Sequence, residues 1–330
     1  MPLFLSMLRS ETAASPDRLT AALTGLHVYQ QAERAPAPPP LPAERRHGRA
    51  RLTGTGGAGR PVVLVPSLIN PAAILDLSEE VSLLRALGAA GMQAWLLDWG
   101  TPSSDERAMD VGDHVRDLLL PLIEQLDAPP VLVGYCMGGT MAWAAASLTP
   151  VAAVATIAAP WRFAGYGAAR PTMAEHWESA RAACDTLGLV PMEVLQAGFW
   201  RLDPQRTVDK YIAFGRLAPD CAAACAFVRL EDWANAGAPL TFAAGRELFD
   251  DLIARDLPGN GSWFGDPRRL PCPTVEFVST TDRIVPAATA AGLADRRELS
   301  AGHVGMVIGR GRMTLWRPLI DWITALPATR

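Results

Sequence analysis

Long basic runs, paired cysteines and internal repeats are all missing from this chain. Its formal net charge is −4. Without an extended basic stretch there is no electrostatic case for nucleic acid. The one local basic patch, "ERRHGRAR" at 44–51, reads as a solvated linker. The five cysteines, at 136, 184, 221, 225 and 272, are too few and too scattered for a disulfide framework. Cys221 and Cys225 stand one helical turn apart, but no second Cys/His pair at metal spacing accompanies them, so no metal site is expected. The opening "MPLFLSMLRS" has an apolar patch with no basic residue before it and fits a secretory leader poorly. Charge is also absent between Asp127 and Arg162, a length that would suit a membrane span. Pro129, Pro130, Pro150 and the turn "GYCMGG" interrupt it. A buried strand, turn, helix and second strand would be equally uncharged, so the expectation is a cytoplasmic protein with no transmembrane segment.

What is present is an alternation of strand and helix patterns. Ser15-Pro16-Asp17 reads as a helix start, with Leu19, Leu23, Leu26 and Tyr29 on one face. The segment "APAPPPLPAE" (35–44) can be neither helix nor central strand and is a linker. Strands are expected at 62–66, 93–99, 130–135 and 151–158. Helices are expected at 78–91, opened by a capping serine, at 111–126 with a kink at Pro121, and at 138–148. Residues 160–268 look helical and aromatic-rich. Sheet rhythm returns at 273–279 and 296–300, with a helix from Pro286 and a last one at 313–326. The fold class is α/β with a mostly parallel central sheet and helices on both faces. The division is an N-terminal helix and linker (1–45), a core (46–159 and 269–330), and a helical cap (160–268).

One motif misleads. "GTGGAG" (54–59) matches G-x-G-x-x-G, but a strand follows it where a dinucleotide site needs a helix. A hairpin turn is expected there. "GYCMGG" (134–139) is different: it matches the nucleophile elbow G-x-nucleophile-x-G, with strand before and helix after. Gly134 and Gly138 remove side chains that would clash at the turn. Cys136 then stands at a helix N-terminus, where the dipole favours thiolate, and the Met137 backbone N–H points toward a developing oxyanion. A second oxyanion donor belongs in the loop after 62–66, from the N–H of Leu68 or of Ser67.

The partners should follow in the order nucleophile, acid, histidine. His27, His47 and His114 precede Cys136, and His176 lies in the cap. His303, in "SAGHVGM", falls in a loop after the last strand. Asp282, in "EFVSTTDRIVP", ends the preceding strand. Its bland role would be a helix N-cap. Asp98 is a rival that breaks the order.

With these residues in place the chain resembles the polyhydroxyalkanoate synthases, most of all the catalytic subunit of the two-subunit class III enzymes. The similarity spans about 55–325 and rests on "VPSLINPAAILDL" (65–77), "GYCMGGT" (134–140), "FVRLEDW" (227–233), "TDRIVP" (281–286) and "GHVGMVIG" (302–309). It implies an α/β-hydrolase fold and an acyltransferase that adds 3-hydroxyacyl groups from coenzyme A to a growing polyester. Cys136 would carry the acyl chain as a thioester and His303 would serve as general base. Asp282 would orient His303 or assist the hydroxyl. No cofactor would be held permanently, since the coenzyme A thioester is substrate. A second, non-catalytic subunit or a homodimer is implied, at the polymer-granule surface. The chain departs from the family pattern at Arg283, where histidine is common, and at Ser67, where proline is common. The alternative is a cysteine-dependent α/β hydrolase acting on an ester, thioester or lactone. A third reading, a non-catalytic scaffold, would need a broken triad, and the triad residues are all in place.

Overall fold

The computed structural model describes residues 2–219 and 221–327. Chain contacts divide into two compact units, Met1–Ala37 with Pro191–Gly237, and Pro38–Val190 with Ala238–Arg330.

In the larger unit, eight strands form one sheet among the described residues: β1 Ala43–His47, β2 Ala50–Gly54, β3 Pro61–Val65, β4 Gln93–Asp98, β5 Val131–Tyr135, β6 Ala153–Ile157, β7 Thr274–Ser279 and β8 Arg296–Leu299. Their order is β1-β2-β4-β3-β5-β6-β7-β8. β2 runs antiparallel to both β1 and β4, and every later pairing is parallel. Every residue of β3, β5 and β6 is buried. This is why these segments read as unbroken apolar runs and not as alternation: helices cover both faces. The uncharged stretch after Asp127 is therefore a pair of central strands around one helix, Met137–Leu148. Among the described residues, no helix is long and apolar enough to cross a membrane.

Several local expectations need correction. The basic patch 44–51 is no linker. It forms the hairpin β1–β2, turned by Gly48 (φ 53) and Arg49, a two-residue loop with glycine first. Its charges sit on an edge strand, where β1 leaves Glu44 to His47 exposed. "GTGGAG" joins β2 to β3, but these strands are not neighbours, because β4 lies between them. It is a crossing loop, with Gly56 and Gly57 at positive φ. The helix expected at 78–91 begins later, at Leu83, capped by Ser82, whose side chain accepts from the Arg85 N–H. Ser78 instead closes a turn by accepting from Val81. Between Pro286 and β8 there is only one short 3-10 turn, Ala287–Thr289, and no longer helix.

The helical segment from Val111 to Ile123 contains one wide turn, His114–Leu119, just before Pro121. Its buried histidine anchors the hairpin. Arg49 donates to Glu106 Oε1 at 2.6 Å and to His114 Nε2 at 2.6 Å. A guanidinium can only donate, so Nε2 accepts and the ring proton sits on Nδ1, shared with the Asp110 carbonyl at 2.6 Å. His114 is thus neutral. Burial pushes its imidazolium down to about 4, and Arg49 adds to that effect.

In the smaller unit, helices Pro2–Glu11, Pro16–Gln31, Met192–Leu202, Pro204–Phe214 and Ala222–Asn235 share a core of Phe4, Leu8, Leu26, Tyr29, Val208 and Phe214, with others. The first of these helices was missed by the sequence reading. Ser15 caps the second as expected, accepting from Arg18. Its buried face is Ala22, Gly25, Leu26 and Tyr29, and Leu23 is exposed. Gly25 explains the shift: a Cβ there would lie 1.9 Å from the Tyr211 carbonyl oxygen, so the two helices meet at the glycine. The chain's single lysine, Lys210, is bonded to buried Glu231 at 2.7 and 2.9 Å.

Because His114 is neutral when folded but titrates near 6.5 when unfolded, the unfolded chain binds the extra proton below that pH. Stability from this residue is complete above pH 6.5 and declines as pH falls toward 4, by about 1.4 kcal/mol per unit. Urea unfolding across this range should show that slope, and His114→Gln should flatten it.

Candidate active site

Cys136 stands between β5 and the helix Met137–Leu148 with φ 56 and ψ −132. A side-chain-bearing residue rarely adopts positive φ, and a site of this kind persists only where its surroundings hold it. The restraint is visible. The Cys136 N–H donates to the Ile157 carbonyl of β6 at 2.9 Å, and its own carbonyl accepts from Gly139 at 2.9 Å. A Cβ on Gly134 would lie 2.3 Å from the Gly139 Cα, and one on Gly138 would lie 2.0 Å from the Val65 carbonyl oxygen. The elbow is therefore clamped against the end of β3. Past that end, Trp99 Nε1 donates to the Pro66 carbonyl at 3.0 Å and Ser67 Oγ accepts from the Ile69 N–H at 3.1 Å. This fixes the loop carrying buried Leu68 beside the elbow.

His303 lies between β8 and the short helix Gly305–Ile308, and Asp282 lies just past β7. The structure brings them together: His303 Nδ1 is 2.6 Å from Asp282 Oδ2, and both are buried. Asp282 Oδ1 accepts from the N–H groups of Ile284 (2.7 Å) and Val285 (3.0 Å). Both carboxylate oxygens are thereby occupied, and the Asp282–His303 geometry is fixed from the aspartate side. With Nδ1 committed to the carboxylate, Nε2 is the ring nitrogen left for a second partner, and the ring lies in the electrostatic field of Cys136. Burial alone would drive the imidazolium down. The charges of Cys136 and Asp282, with the Asp282 hydrogen bond, outweigh it and push His303 up to about 10. Such an arrangement can hold a thiolate beside an imidazolium and pass a proton between sulfur and nitrogen.

The rival groups are employed elsewhere. Asp98 pairs with Arg51 at 2.8 Å and accepts from the Gly100 N–H. His47 lies on the exposed edge strand, and His114 is in the Arg49 network. Two tyrosines were overlooked in the sequence. Tyr135 stacks on His303, with ring centroids 5.0 Å apart. Tyr166, on the turn after β6, lies in the electrostatic field of Cys136 and Asp282. The position of Tyr135 inside the elbow was the available signal, whereas nothing local marks Tyr166.

Two substitutions probe this geometry. Gly138→Ala should lower stability by about 1–3 kcal/mol, since backbone and not a flexible side chain must move. Urea denaturation reads that loss. Asp282→Asn should keep a loop of the same shape but remove the charge facing Nδ1. His303, followed by NMR titration, should then lose its proton at lower pH than in the unsubstituted chain.

Comparison with known proteins agrees with the fold described above. A model of the Alpha/beta hydrolase family matches residues 62–310. The chain is 27% identical over 285 residues to the poly(3-hydroxyalkanoate) polymerase subunit PhaC of Haloferax mediterranei, covering 79% of this chain and 58% of that protein. It is 25% identical over 285 residues to the subunit of the same name from Allochromatium vinosum, covering 80% of each. The chain thus spans about three fifths of the first relative and four fifths of the second. Among solved structures, an epoxide hydrolase from Bacillus megaterium superposes with a TM-score of 0.56 at 13% identity, over 86% of this chain and all of that one. That likeness concerns the fold alone. Taken with the eight-stranded sheet and the strained elbow at its centre, these matches make the chain a member of the alpha/beta hydrolase family.

Proposed function

We propose that the protein is an acyltransferase that polymerises 3-hydroxyacyl groups from coenzyme A thioesters, through a thioester on Cys136. The observation that carries this reading is a cysteine held at the strained elbow, in the electrostatic field it shares with a buried histidine that Asp282 braces at 2.6 Å. The chain around it is similar to named polyester polymerase subunits. In the first half-reaction the Cys136 sulfur attacks the thioester carbonyl, and its proton passes to His303 Nε2. The tetrahedral oxyanion is met by the backbone N–H of Met137 and by that of Leu68 or Ser67. Coenzyme A leaves as the thiol, taking the proton back. In the second half, His303 takes the proton of an incoming 3-hydroxyl, whose oxygen attacks the acyl-Cys136 carbonyl. An ester bond forms and the sulfur is released, its proton restored from the imidazolium.

Cysteine suits this purpose. Exchange of one thioester for another loses little driving force, so the acyl group remains activated for an alcohol. An oxygen ester on serine would be a poorer donor. The coenzyme A thioester is a substrate, and the reading requires no resident cofactor. The proposal extends to the 160–268 stretch as a cap, to work at a polymer-granule surface, and to assembly with a second subunit or a second copy.

Incubation with radiolabelled 3-hydroxybutyryl-coenzyme A should leave an acyl adduct on Cys136, found by mass spectrometry, and should yield polymer. Cys136→Ala should lose the adduct and slow coenzyme A release on the order of 10³-fold or more. An adduct followed only by free hydroxy acid would reassign the protein as a cysteine-dependent hydrolase. Full activity in Cys136→Ala would remove the enzymatic reading.

A further inference from the structure

We propose that Tyr135 is a positioning residue for His303, its ring bracing one face of the imidazole. The inference rests on the active-site reading of Cys136 and His303. Tyr135 is the last residue of β5 and is buried. Its ring lies 5.0 Å from the imidazole, centroid to centroid, with the planes 28° apart. Its hydroxyl donates to the His303 carbonyl at 3.3 Å. The loop from Ser300 to Val304 has little regular structure of its own, so the histidine needs restraint from outside.

Asp282 restrains only one edge of the ring, through Nδ1. A ring held at one edge can still tilt about that bond, and a small tilt moves Nε2 away from sulfur. A flat aromatic surface against one face blocks the tilt. The same surface acts when the imidazole takes a proton, because a π-face attracts a cation. Tyr135 would therefore favour the protonated form of His303. Its placement follows from chain connectivity: as the residue before Cys136, its distance from the sulfur is set by the elbow itself. Burial pushes the Tyr135 phenol far up, so the hydroxyl stays a donor at every working pH. The titratable groups around the imidazole are Cys136, Asp282 and Tyr135, with Tyr166 in the field of the first two.

The test uses the full chain with Tyr135→Phe, which keeps the aromatic face, and Tyr135→Met, which keeps bulk without it. Two readouts are needed: the pH profile of Cys136 alkylation by iodoacetamide, and kcat and KM with 3-hydroxybutyryl-coenzyme A. Tyr135→Phe should retain the alkylation profile, with kcat within about threefold. Tyr135→Met should shift the profile by about half to one pH unit. Its kcat should fall about tenfold or more, with KM little changed. A Tyr135→Met chain that melts normally and keeps both the profile and kcat would overturn the proposal. So would Tyr135→Phe losing as much as Tyr135→Met. Alkylation needs no acyl acceptor, so it reads the sulfur–imidazole pair whether or not polymer is made. If His303→Ala leaves the alkylation profile of the parent chain unchanged, the pair itself is absent, and the active-site reading fails together with this one.

Discussion

The left-handed backbone at Cys136 is the constraint on which the rest of the site depends. A residue with a Cβ avoids φ near 56° unless its neighbours leave it no alternative. Here β6 accepts its N–H, and Gly134 and Gly138 allow the flanking strand and helix to approach within distances that any side chain would forbid. Packing across three strands therefore holds the local strain. The return is exposure of one sulfur at the carboxyl edge of a parallel sheet, at the start of a helix. That is where this architecture leaves room for ligands.

The other groups converge on that edge for topological reasons. In parallel strands every carboxyl end lies on the same side. Residues just past β3, β5, β7 and β8 become neighbours although they are far apart in sequence. Asp282 and His303 are thus delivered by strand order and then fixed by short-range bonds, Oδ1 to two backbone N–H groups and Oδ2 to the imidazole. The hydrogen-bonded buried pair would be costly if either member lacked its partner. The structure leaves neither unpaired.

Much of this was legible in the sequence because the relevant signals are local or topological. The buried strands announce themselves as apolar runs, the elbow as glycines around cysteine, and the acid and histidine by their order after it. What escaped the sequence depends on long-range packing. The edge hairpin at 43–54 looks like a charged linker because only β2 has a buried face. The true face of the helix Pro16–Gln31 turns on Gly25 meeting a backbone carbonyl, which periodicity of apolar residues cannot report. Ser78 and Ser82 are equally good caps on paper, but the Ser78 hydroxyl closes a turn on Val81 and the helix starts only at the Ser82 cap. Tyr135 reads as an apolar strand residue until its ring is seen against His303.

The two outermost strands carry a further meaning. β1 presents Glu44, Arg45 and Arg46 to solvent, and β8 at the opposite border alternates exposed Arg296 and Glu298 with half-buried neighbours. Bringing another chain's strand alongside either border would require stripping water from several ionised side chains at once. The fold thereby discourages uncontrolled growth of its sheet in both lateral directions.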